Sequence, residues 1–220
     1  MVLGYTVVVG EIQDNIQKGA ADLGQALDAG TCARLAVLLK ELERWNRRIN
    51  LTAIRDIGEM VSGHVLDSLA VRPALRGRAA LDIGTGAGFP GLPLAIAEPG
   101  TEFVLLDSNG KKISFVNHII AELGLSNVET VKARAEDYAP GKRFDTVIAR
   151  ALATVPRLVA LAAHLVGEDG QLLALKGKYP AEELESITTL AQWEVTVTPL
   201  AVPGLEAHAR HVVSLQRMKA

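Results

Sequence analysis

The chain has 220 residues, 49 % of them hydrophobic and 4 % aromatic, and its 23 basic and 25 acidic side chains leave a net charge of −2. That length suits one α/β domain with an appendage, and the near-neutral balance speaks against an indiscriminate polyanion binder while leaving room for a local basic face. The single cysteine, Cys32, excludes an intramolecular disulfide and a Cys-rich metal site, so no metal is expected and a reducing, cytoplasmic setting is the simple reading.

Residues 2–9 are apolar but lack a basic lead, and Glu11 and Asp14 follow at once. Residues 1–19 therefore read as an extension that need not be ordered, rather than as a signal peptide. No run reaches the roughly 18–20 apolar residues of a membrane span, so no membrane partner is expected. Residues 20–74 read as a helical cap. Leu35, Leu38, Leu39, Leu42, Trp45 and Ile49 recur at helical steps, with Lys40, Glu41, Glu43, Arg44, Arg47 and Arg48 on the opposite face. A second amphipathic segment over 57–69 turns Met60, Val61, Val65, Leu66 and Leu69 inward.

From residue 79 short apolar runs alternate with helical ones. Strands are expected over 79–83, 102–107, 128–132, 146–149 and 171–175, with helices over 92–97, 111–123 and 154–166. Such alternation calls for a parallel sheet with right-handed crossovers. A helix over 180–190 starts on Pro180, and strands over 193–199 and 209–217 flank Pro203-Gly204. These two can pair as an antiparallel edge hairpin. The expected fold is thus α/β, a mostly parallel seven-stranded Rossmann-like sheet with an antiparallel C-terminal hairpin, occupying residues 75–220 behind the helical extension. A parallel sheet ending in such a pair is the class I methyltransferase variant of that fold.

The turn Gly84-Thr85-Gly86-Ala87-Gly88-Phe89-Pro90-Gly91 follows the first strand, where open parallel sheets bind ligands. Glycines let the backbone take positive φ and let a ligand come close. Gly86 to Gly91 also satisfies the dinucleotide spacing, so a nicotinamide cofactor, or a tight turn without a ligand, stays open on the glycines alone. Asp82 tips the balance, because a carboxylate beside the turn would repel a pyrophosphate but suits the amino group and sulfonium of S-adenosylmethionine. Asp107, 23 positions after Gly84, suits ribose hydroxyls, and Ala135-Glu136 could close over the adenine.

Beyond the turn, the chain resembles the bacterial 16S ribosomal RNA guanine-N7 methyltransferases, the RsmG or glucose-inhibited division protein B family. The resemblance covers roughly residues 20–218. It is carried by Trp45-Asn46-Arg47-Arg48-Ile49-Asn50-Leu51-Thr52, His64-Val65-Leu66-Asp67-Ser68, residues 81–93, Leu105-Leu106-Asp107-Ser108-Asn109-Gly110-Lys111-Lys112, Ala149-Arg150-Ala151 and Ala174-Leu175-Lys176-Gly177. It implies S-adenosylmethionine as cofactor and one guanosine of small-subunit ribosomal RNA, near the decoding centre, as methyl acceptor. It also implies cofactor contacts at Gly84, Phe89, Ala135, Glu136 and Arg150. Where the family usually carries a basic residue before His64, this chain has Gly63.

The chemistry agrees. Guanine N7 offers a lone pair and has no proton to lose, so its methylation needs alignment and desolvation more than a base. The Asn/Asp-Pro-Pro-aromatic motif of amino-group methylation is absent after the fourth strand, which reads Ile148-Ala149-Arg150-Ala151-Leu152. Cys32, in the helical cap, is badly placed for the nucleophile that pyrimidine carbon methylation needs. Arg150, as an orienting catalytic group, could hold the methionine carboxylate; an RNA phosphate or a plain strand-end cap are the other readings. Lys176 is better suited to a phosphate than to a base that becomes cationic. Arg44, Arg47 and Arg48, with Arg55, Lys111, Lys112, Arg210 and His211, are candidate RNA contacts, set against an ordinary solvated helix face. His64 is a further RNA candidate, with a buried, hydrogen-bonded histidine as the alternative. The low positive charge points to a small ribosomal subunit particle as partner rather than free RNA.

Overall fold

The structure, a computed structural model, describes residues 2–185 and 192–218, with side chains from residue 10 onward. Its sheet contains β1 (Ala79–Ile83), β2 (Glu102–Leu106), β3 (Val128–Val131), β4 (Phe144–Arg150), β5 (Val166–Lys176), β6 (Trp193–Pro199) and β7 (His211–Arg217). Their order is β3-β2-β1-β4-β5-β7-β6. The first five strands pair in parallel, and β7 runs antiparallel between β5 and β6. This is the sheet the alternating pattern predicts. The direction of strand order reverses between β1 and β4, which opens a crevice at their carboxyl ends.

The central strands are largely apolar because both faces are covered, with Asp82, Thr146 and Gln171 as buried polar residues among them. One face, through Ala80, Phe103, Leu105, Ile148, Leu173 and Val212, shares a core with the N-terminal helices, α1 (Val2–Asp22) and α2 (Ala29–Asn46), and with the crossover helices α5 (Gly91–Ala97) and α6 (Gly110–Leu123). The alternate residues, among them Leu81, Val104, Val147, Leu172 and Val213, pack on α7 (Val155–Ala162). β4 and β5 outrun their expected spans, and their register shifts between Phe144 and Thr146. Of the helix expected over 180–190, α8 (Ala181–Glu185) is present and residues 186–190 lie outside the described residues.

The expected unordered extension is corrected by α1. Ile12, Ile16 and Ala20 recur every four residues and are buried in the core beside α2. The apolar opening hid that stripe. α2 starts on Asp28, whose side chain accepts from Thr31 N at 2.8 Å. Leu35, Leu38, Leu39 and Leu42 are buried as predicted, Cys32, Ala36 and Asn46 join them, Trp45 is half-buried, and Ile49 lies past the helix end. The second amphipathic segment is α3 (Ile57–Met60), a π-helical turn over Val61–Leu66, and α4 (Asp67–Leu69). A π turn widens the helix at His64, and such insertions gather at functional sites.

Candidate active site

β1 ends at Ile83, and the chain turns through Gly84, Gly86 and Gly88, all at positive φ. Gly84 N and Thr85 N donate to the carbonyl of Leu106 at 2.7 and 3.0 Å, which pins the turn to β2. A Cβ on Gly84 would lie 2.9 Å from Leu152 Cδ1, whereas one on Gly86 would meet nothing nearer than 3.9 Å. The turn is therefore closed towards β4 and open at Gly86.

Asp82 holds this turn from beneath and does not reach the cleft. Its side chain is wholly buried, and Oδ2 accepts from Thr85 Oγ1 at 2.6 Å and Gly91 N at 2.9 Å. Burial pushes its carboxyl up to about 6, against the pull of those two donors and of Arg150. The expectation that Asp82 meets a cofactor amino group is thereby corrected. Period-two alternation puts it on the face of Ala80, under α5.

Above the turn lies a cleft of about 1150 Å³ at the carboxyl ends of the strands. Gly84, Phe89, Asp107, Ala135, Glu136 and Arg150 all line it. Asp107 also braces the turn, accepting from Gly86 N at 2.9 Å and Asn109 N at 2.7 Å. Ala135 and Glu136 occupy a short 3₁₀ turn after β3, Ala135 buried and Glu136 exposed. Phe89 stacks on His64 with ring centroids 4.6 Å apart, and the Arg150 guanidinium lies 5.8 Å from the Phe89 centroid. Arg150 Nη1 donates to Asp67 Oδ2 at 3.1 Å, and Arg210 Nε donates to Asp67 Oδ1 at 2.9 Å.

His64, Lys176 and Arg210 line the same cleft; His64 takes the buried, hydrogen-bonded alternative, and Lys176 differs from expectation. His64 is buried, with Nε2 2.8 Å from Thr52 Oγ1, and burial, aided by the charge of Arg150, lowers its pKa to about 4. A neutral, enclosed imidazole makes a wall for a ligand rather than a cationic phosphate contact. Lys176 Nζ donates to the carbonyl of Ala153 at 2.8 Å and pairs with Glu183 at 2.7 Å, at 15 % side-chain exposure. It clasps the loop after β4 instead of facing solvent as a free cation.

Arg44, Arg47 and Arg48 lie outside the cleft lining. Arg44 pairs with Glu41 and lies 3.3 Å from His118 Nε2; Arg47 pairs with Glu43 at 3.3 Å; Arg48 is exposed. Asn46 caps the end of α2: its Oδ1 accepts from Leu51 N and Thr52 N. Sequence reasoning missed Arg134 and Arg157, exposed cations on the cleft wall, and the bridging role of Asp67. Arg134 was findable, since it lies in the short loop after β3, whereas Arg157 sits in the first turn of α7. Asp67 was not findable, because its partners lie far away in sequence. No cluster of His, Cys, Asp or Glu suited to a metal occurs among the described residues, and no helix among them is long and apolar enough to cross a membrane.

A family model described as "GidB: rRNA small subunit methyltransferase G" matches residues 31–213. A ribosomal RNA small subunit methyltransferase G of Nitrosococcus oceani is 48 % identical over 211 residues, spanning 95 % of this chain and 97 % of the relative. Its namesake in Idiomarina loihiensis is 44 % identical over 91 % of this chain and 97 % of its own. Among solved structures, the glycopeptide N-methyltransferase MtfA superposes with a TM-score of 0.58 at 14 % identity, over 73 % of this chain and 98 % of that one.

Proposed function

The chain belongs to the GidB family of rRNA small subunit methyltransferases G, and from that membership we propose that it transfers a methyl group from S-adenosylmethionine to N7 of one guanosine in 16S ribosomal RNA. The observation that carries the reading is the cleft at the strand-order reversal, where a glycine turn, an acidic strand end and Arg150 converge.

The residues present fit the cofactor. The open backbone at Gly86 leaves room for close approach, and Asp107, already accepting two backbone bonds, keeps lone pairs for hydroxyl donors. Leu106, Ala135 and Ile83 supply apolar walls for a base, and Glu136 lies beside them. Arg150, whose Nη1 is anchored by Asp67, keeps other donors for a carboxylate. Bound there, S-adenosylmethionine supplies an electrophilic methyl group on a sulfonium. The stacked pair of Phe89 and His64 walls the cleft and excludes water from a reaction that gains from desolvation. His64, neutral at pH 7, adds no charge against the cation formed when N7 is methylated.

We assign RNA contact to Arg210, Arg134 and Arg157 at the cleft and to Arg48, with Arg44 and Arg47, at the C-terminal end of α2. Residues 20–74 then act as a cap that places RNA over residues 75–220. The substrate in this reading is an assembled or assembling small subunit, in a cytoplasmic setting, because a chain of net charge −2 gains little from bare polyanion. Labelled methyl transfer to small subunits from a strain lacking the activity, followed by cleavage at N7-methylguanosine, tests the function. Label at another base position, or on protein, overturns it; equal rates on naked 16S RNA and on particles overturn the particle preference.

A further inference from the structure

One buried carboxylate ties three distant parts of the chain together at the cleft wall. Asp67, 6 % exposed, belongs to the helical cap; Arg150 ends β4; Arg210 immediately precedes β7. The two arginines take different oxygens of Asp67, at 3.1 and 2.9 Å. Arg150 Nη1 also leans on the carbonyl of Gly63 at 3.4 Å, and Arg210 Nη1 on that of Ala209 at 3.0 Å. Two guanidinium groups thus share one counter-charge beside a neutral His64, which leaves one net positive charge on this part of the wall.

An anion that arrives at Arg210 competes with Asp67 for it. Asp67, relieved of one partner, then holds Arg150 the more firmly, because the interaction is strong in a poorly solvated wall. Arg150 is anchored through Nη1 alone, so a firmer anchor fixes the direction of its remaining donors into the cleft. Fixing a binding group before its ligand arrives raises affinity. We propose that Asp67 is a positioning residue through which RNA phosphate at Arg210 sets Arg150 for the cofactor, so that RNA binding tightens cofactor binding. The inference rests on the assignment of the cleft given above. By linkage the effect is reciprocal, and cofactor tightens RNA binding by the same factor.

The test measures binding of labelled S-adenosylhomocysteine, which cannot react, to the full chain with and without saturating small subunits that lack the N7 methyl group. The unaltered chain is expected to bind it at least about five-fold tighter with the subunits. In Asp67→Asn the ratio falls to about one at subunit concentrations that again saturate, by the same linkage argument. A carboxylate that merely stabilises the fold would lower the melting temperature and leave the ratio unchanged. Arg210→Gln covers the case in which Asp67→Asn does not fold, since removing either end of the relay abolishes the coupling. No change or a weakening in the unaltered chain, or an intact ratio in either variant, overturns the inference. Methyl transfer to the same subunits is scored separately: transfer without coupling sinks the inference alone, and no transfer removes its premise.

Discussion

Asp82→Asn isolates a balance hidden in the pH dependence of stability. Asp82 titrates at about 6 in the folded chain against 3.8 for an ordinary carboxyl, so between those values the folded state keeps a proton that the unfolded chain releases. Acidification through that window therefore adds stability, by about 3 kcal/mol. His64 works in the opposite direction. Its folded value of about 4 lies below the ordinary imidazole value of 6.5, so the unfolded chain takes up a proton first. Its contribution, also about 3 kcal/mol, is present above the unfolded value and is lost as pH falls through the folded one. The two nearly cancel in the unaltered chain. Asp82→Asn keeps an oxygen for Thr85 and Gly91 but removes one side of the balance. Urea unfolding at pH 4, 5, 6 and 7 should then show the variant losing about 3 kcal/mol relative to the unaltered chain between pH 7 and pH 4. A free-energy difference between the two that stays constant across that range refutes the reasoning.

Lys176→Ala should cut methyl transfer yet leave the salt dependence of RNA binding unchanged, because its ammonium already serves Ala153 and Glu183. A fall of about one in the log–log salt slope would instead make it a phosphate contact. Arg48→Ala, by contrast, is expected to lower that slope by about one while leaving the melting temperature within a degree or two, since it is exposed. Asn46→Ala removes the acceptor for Leu51 N and Thr52 N and the donor to the Thr52 carbonyl, and should cost about 3 kcal/mol in chemical denaturation.

The sheet was readable because its signals are local. Strands buried on both faces show as unbroken apolar runs, and crossover helices repeat every three to four residues between them. The cofactor half of the cleft was readable for the same reason: Gly84, Asp107 and Ala135 each follow a strand at its carboxyl end, so topology alone gathers them. Orientation was harder. Whether Asp82 faces ligand or core depends on a one-residue step of the pleat, and the buried side won because Thr85 and Gly91 supply donors there. The charged residues were least legible. Lys176 finds Glu183 on α8, seven residues on but reached only through the turn between β5 and α8. Asp67 finds Arg150 and Arg210 at separations of 83 and 143 residues, so nothing near Asp67 in sequence marks it as taken.

The core shared by the N-terminal helices and the sheet sets a condition on how the chain can be made. Ile12 on α1 and Val212 on β7 belong to one apolar cluster, and β7 lies inside the sheet between β5 and β6. The apolar cluster that these helices share is thus closed only once β7 has been made. Contacts this far apart in sequence slow folding and prolong the exposure of sticky surface during synthesis. For the nascent chain, α1 and α2 can pack on each other early, while the core they share with the sheet is completed only by β7.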